Sequence, residues 1–142
     1  MNVKAETVVA RPREEVAAYA MDWRNAAEWI GGISAAQQVS EGEFGVGSQV
    51  ARVASFLGKR IEYVNEVTEL EPGRRLAMRS VKGPFPMSVV YEFEDAGGGT
   101  RVRVRVGGDA SGFYRAAGAV MSRQVKRSIT GDVERLRRIL ER

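Results

Sequence analysis

Residues 87–106 read MSVVYEFEDAGGGTRVRVRV. Met87, Val89, Tyr91 and Phe93 share one phase of a period-two alternation. After Gly97-Gly98-Gly99, Val102, Val104 and Val106 alternate with Arg101, Arg103 and Arg105. Successive side chains of a strand point to opposite faces, so each run carries one apolar face and one polar face. Glycines between two such runs make a hairpin. Glu92 and Glu94 fall opposite the arginines, and cross-strand pairing explains that stripe as a solvated outer face. The triplet is a turn and not a phosphate loop, because no helix start follows it.

The same pattern extends upstream. Residues 33–41, 48–57, 60–70 and 74–81 read as strands, separated by EFGVG at 43–47, by Gly58 and by Glu71-Pro72-Gly73. KGPFP at 82–86 is a loop, since its prolines bar a ladder. Six consecutive strands joined by short turns make an antiparallel meander, which must curl or be covered on one face. Ahead of it, Val3 to Val9 alternates as an opening strand. Pro12 with Glu14 and Glu15 then starts a helix. Asp22 caps a second short helix carrying Trp23, Trp29 and Ile30, which Gly31-Gly32 ends.

The cover is C-terminal. Over residues 112–141, Phe113, Ala117, Met121, Val125, Ile129, Val133, Leu136 and Leu140 recur at mostly four-residue steps. Some thirty residues at 1.5 Å each span roughly 45 Å, enough to cross a curved sheet. Four-residue steps drift around a straight helix, so Gly118 or Gly131 is the expected point of bending. The prediction is an α+β single domain over 1–142: a curved antiparallel sheet of about seven strands around a long C-terminal helix, with two short helices after the first strand.

The composition narrows the chemistry. The 142 residues include 22 Lys+Arg and 18 Asp+Glu but no His and no Cys. That excludes a Ser-His-Asp triad, a Cys nucleophile, disulfides and an ordinary zinc site, and it predicts no metal and no cofactor. Acid–base work would fall to Asp, Glu, Tyr, Lys or an activated water. The net charge of +4 is spread along the chain, so no nucleic-acid partner is expected. Lys4, Glu6 and Arg11 interrupt the N-terminus, and no apolar run approaches a membrane span. A cytoplasmic protein without stable membrane insertion is therefore expected, as monomer or homodimer.

The order of elements is similar to the helix-grip fold of the START-like superfamily. More closely, the chain resembles its polyketide cyclase/dehydrase and lipid-transport (SRPBCC) branch. The matching segments are ARPREEVAAYAMDWRNAAEW at 10–29, GVGSQV at 45–50, VTELEPGRRLAMRS at 67–80, YEFEDAGGGTRVRVRV at 91–106 and DVERLRRILE at 132–141. They run in family order over nearly the whole chain. Where the family often has a proline shortly before the tryptophan of the second helix, this chain has Ala26-Ala27. These motifs are turns, caps and core positions. The resemblance therefore implies the fold and a cavity, and carries over no catalytic residue.

A helix gripped by a curled sheet leaves space between them. The expected lining is Trp29, Tyr63, Asn65, Met78, Ser80, Phe85, Met87, Tyr91, Phe113, Ala117 and Met121, with Phe85 on the loop at the entrance. Each has a plainer reading too. Trp29 and Phe113 suit an ordinary core, the methionines fill irregular gaps, and a tyrosine hydroxyl can reach backbone or water. Asn65 is the most diagnostic position, because an inward amide needs partners; a one-residue bulge would turn it outward. The leading expectation is a protein that binds a hydrophobic small molecule, lipid-like, polyketide-like or aromatic. The alternatives are a cyclase, aromatase or dehydratase using the same cavity, with Tyr63 or Tyr91, joined by Ser80 or Asn65, steering protons or holding a carbonyl, or a ligand-gated protein-interaction module.

Overall fold

The computed structural model describes residues 1–56, 58–84, 86–108 and 118–142. Seven strands form one antiparallel sheet in the order β1-β7-β6-β5-β4-β3-β2. They are β1 (Asn2–Val9), β2 (Ile33–Gln38), β3 (Gln49–Phe56), β4 (Lys59–Glu71), β5 (Arg75–Lys82), β6 (Met87–Ala96) and β7 (Gly99–Gly108). β2 to β7 follow one another as a meander, and β1 closes the far edge by pairing with β7 from Asn2↔Gly107 to Val9↔Thr100. Between β1 and β2 lie α1 (Arg13–Met21), a 3₁₀ turn (Trp23–Asn25) and α2 (Ala26–Trp29). The second predicted helix is thus split, and Asp22 caps its first turn by accepting from the Arg24 N–H at 3.0 Å.

Alternation sets the faces as expected. Val89, Tyr91 and Phe93 on β6 and Val102, Val104 and Val106 on β7 are buried. Their outward neighbours pair: Arg75 and Arg105 with Glu92, Arg101 and Arg103 with Glu94, and Arg103 also with Glu6. Such exposed pairs contribute little stability each, but they account for the arginine stripe.

Curvature comes from register shifts, which bend and twist the strand that carries the extra residue. One falls in β2 at Ser34, between the pairs Ile33↔Ala54 and Ala35↔Val53. Two lie in the β4–β5 ladder. Val64 pairs with Lys82 but Asn65 with Ser80, so Val81 on β5 is the extra residue. Val67 pairs with Met78 but Glu69 with Ala77, so Thr68 on β4 is the extra one. Because the first of these shifts is taken up by β5, Asn65 keeps its inward direction and is 2% exposed, while Val81 is left on the outside.

The last helix, α3 (Gly118–Leu140), lies across the concave face and runs unbroken through Gly131. Its C-terminal part is fastened to β1 and the turn after it. Thr7 Oγ1 donates to Glu134 Oε1 at 2.8 Å, Ala10 N to Glu141 Oε2 at 2.8 Å, and Arg11 Nε to the Leu140 carbonyl at 2.8 Å. At this end Val133 and Leu136 are fully buried in the core that contains Val9, Val16, Ala17, Phe93 and Val102. The grip is therefore tight at one end of the helix, and any space must lie toward the other.

Candidate functional site

A cavity of about 130 Å³ occupies that other end. The first two-thirds of α3 supply Met121, Val125, Ser128, Ile129 and Asp132. β3 and β4 supply Arg52, Ala54, Phe56, Ile61, Tyr63 and Asn65, and β6 and β7 supply Met87, Val89, Tyr91, Val104 and Val106. Trp29 of α2 closes the side, its ring edge-on to Tyr91 with centroids 5.5 Å apart. The cavity reaches solvent beside the β3–β4 hairpin, where exposed Ser55 and half-buried Phe56 and Ile61 line it. An apolar void of roughly 150 Å³ accommodates benzene, so the enclosed part suits a ring or a short hydrocarbon segment.

Of the residues expected from sequence, the structure brings Trp29, Tyr63, Asn65, Met87, Tyr91 and Met121 together around this cavity. Met78 is buried but faces a smaller pocket behind Tyr91, beside Trp23, Phe44 and Leu76. Ser80 is outside the lining; its Oγ accepts the Met87 N–H at 2.9 Å and so holds the start of β6. Phe85, Phe113 and Ala117 lie outside the described residues. Asn65 points inward, and its amide hydrogen-bonds to no other described residue.

Sequence reasoning misses two charged residues. Arg52 occupies the inward phase of β3 between Val50 and Ala54 and is 6% exposed. In QVARVASF both phases are small and mostly apolar, so alternation alone does not aim the arginine; its register partner Tyr63 does. Asp132, 5% exposed, is hidden by the dominant step from Ile129 to Val133. The signal is there, since Asp132 stands four residues before the buried Leu136 on the same helix face.

The electrostatics of the two differ. Asp132 Oδ1 accepts from the Gly31 N–H at 2.9 Å and from Arg135 Nη1 at 3.2 Å, which ties α3 to the turn after α2. Burial raises its carboxyl above the ordinary range, against the pull of Gly31 and Arg135. Burial works against the charge on Arg52 and the hydroxyls of Tyr91 and Tyr63 favour it, and a guanidinium keeps its proton in any ordinary pH range. Arg52 Nη2 donates to Tyr91 Oη at 3.4 Å. Burial pushes the Tyr91 phenol up, with Arg52 opposing, so it remains a neutral donor. Among the described residues, no atom accepts from Arg52 Nε or from Trp29 Nε1.

A curled sheet gripping a helix, with a cavity at its open end, defines the START-like helix-grip class. The chain belongs to the polyketide cyclase/dehydrase and lipid transport family, whose model matches residues 1–141. Among solved structures, TTHA0849 from Thermus thermophilus superposes with a TM-score of 0.84 at 19% identity, over 99% of this chain and 97% of that one. The Zhui aromatase/cyclase from Streptomyces sp. R1128 gives 0.81 at 18% identity, over 100% and 94%. A START superfamily protein from Mycobacterium smegmatis gives 0.69 at 15% identity, over 95% and 98%. At these identities the likeness is one of fold. No curated protein sequence matches the chain significantly. Among the described residues, no helix is long and apolar enough to cross a membrane.

Proposed function

We propose that the protein binds a hydrophobic small molecule between the sheet and α3. The observation that carries this reading is an apolar-walled cavity, open to solvent, beside a core that is closed at the other end of the helix. Val89, Val104, Val106, Val125 and Ile129 provide the walls, and Trp29, Tyr63 and Tyr91 provide flat aromatic surface. Each 100 Å² of ligand surface taken from water contributes about 2.5 kcal/mol before orientation costs. A two-ring molecule burying roughly 250 Å² therefore has an upper bound near 6 kcal/mol, which corresponds to tens of micromolar. Native mass spectrometry and thermal-shift titration with polycyclic aromatics and lipids test the reading. Ala54 is inward and lines the cavity, so Ala54→Leu fills it and should abolish binding without unfolding the protein. Silence across the whole panel by wild type would overturn the proposal.

One observation favours a second reading, a cyclase or dehydratase-type enzyme in the same cavity. Asp132 supplies a buried carboxyl with a raised pKa in a chain that has no His. A carboxyl that holds its proton above the usual range is suited to general-acid work. Asp132→Asn separates the two. Loss of turnover with binding retained supports the enzyme; unchanged ligand chemistry leaves Asp132 as the tie between α3 and Gly31.

A further inference from the structure

Arg52 is the anomaly of the cavity. A buried charge is costly unless it is paired and hydrogen-bonded. The outer-face arginines at 75, 101, 103 and 105 all find carboxylates. Arg52, at an inward position directly across from Tyr63, makes no ion pair with any described residue. Its bond to Tyr91 Oη is long at 3.4 Å, and its Nε has no acceptor among the described residues. The other charged side chain of the lining, Asp132, is committed to Gly31 and Arg135. Among the described residues, the cavity wall thus carries one guanidinium without a counter-ion. Two phenols stand beside it, and Trp29 Nε1, which likewise finds no acceptor there, belongs to the same wall.

Resting on the reading that this cavity holds a ligand, we propose that the ligand is an organic acid: an apolar ring system or short hydrocarbon body bearing one carboxylate. The carboxylate pairs with Arg52, whose planar fork matches it. The hydroxyls of Tyr63 and Tyr91 donate to the same oxygens. The apolar body fills the space between Val104 and Ile129 toward the opening at Ile61.

Binding is measured by calorimetry at neutral pH, where the acids are ionised. Two matched pairs are used, 2-naphthoate against 2-naphthamide and decanoate against decanamide, which separate aromatic from aliphatic bodies. Wild type should bind one acid at least tenfold more tightly than its amide. Arg52→Met should bring that ratio close to one while amide binding persists, and Arg52→Lys should keep part of the preference. Equal binding of acid and amide by wild type, or a preference that survives in Arg52→Met, overturns the inference and leaves hydrophobic binding standing. Failure of both acids and both amides to bind overturns the cavity reading as well. Should Arg52→Met fail to fold, the wild-type ratio and Arg52→Lys decide.

Discussion

Replacing Arg52 by Met should make the unliganded protein more stable. The side chain is 6% exposed, and among the described residues it lacks an ion pair and an acceptor for Nε. An unsatisfied buried donor costs about 1–3 kcal/mol, and more when charged. Against this, the substitution loses the 3.4 Å hydrogen bond to Tyr91, well beyond the usual donor–acceptor distance, and the polar contact with the Tyr63 hydroxyl, together worth about 0.5–1 kcal/mol. Methionine follows the path of the arginine stem and adapts to the irregular space beside Tyr63 and Tyr91. Water entering the cavity solvates part of the guanidinium, which places the net gain at the lower end, about 1–2 kcal/mol. For a chain of this size that is a rise in Tm of about 3–6 °C. Urea denaturation with an unchanged m-value, together with calorimetry, measures it. A loss of more than about 1 kcal/mol would refute the reasoning, because it would mean that the guanidinium braces the two tyrosines and is not held for a ligand. A gain is what a site that gives up stability for binding predicts.

Other consequences follow from the same geometry. At Gly83, φ is +149° and an added Cβ would fall 2.8 Å from Tyr63 Cβ, so Gly83→Ala should destabilise by about 1–3 kcal/mol and displace Tyr63, visible as altered near-ultraviolet dichroism and weaker ligand binding. At Gly131 an added methyl meets nothing within 4 Å, so Gly131→Ala within α3 should stabilise by about 1 kcal/mol and raise Tm by about 3 °C. Asp132 has a carboxyl raised by burial above its ordinary 3.8, so the native state holds that proton more tightly than the unfolded chain. Its contribution is fully present below 3.8 and is lost as pH rises through the raised value. Asp132→Asn removes this titration, and the difference between the variant and wild-type denaturation profiles across the mildly acidic range should slope accordingly. Parallel profiles would show that Asp132 ionises as an ordinary carboxyl.

The fold is legible in the sequence because its information is local. Alternation in β6 and β7, the glycine hairpin and the four-residue steps of α3 each report a period that the backbone must obey. Trp29, Tyr63, Asn65, Met87, Tyr91 and Met121 reach the cavity because period and topology together aim them there. Met78 and Ser80 share the inward phase of β5, yet they miss it: one turns to the pocket behind Tyr91 and the other holds the start of β6. Phase selects a face but not a position along a curved sheet, and the shifts at Ser34, Thr68 and Val81 that set the curvature have no period to betray them.

Arg52 and Asp132 escape for a different reason. An expectation that charged residues face solvent is sound for most of the chain, as the paired stripe of Arg101, Arg103 and Arg105 illustrates. It fails where burial is tolerated for a purpose, and such exceptions concentrate at functional sites. The two exceptions also recast the absence of His and Cys. On composition alone the interior reads as a surface for holding an apolar molecule by shape. With Arg52 it has a fixed positive charge that does not titrate in any ordinary range, and Asp132 adds a carboxyl whose pKa burial raises. A neutral hydrocarbon would make no use of either. The polarity of the cavity, more than its size, argues that whatever enters carries an oxygen-bearing head at one end.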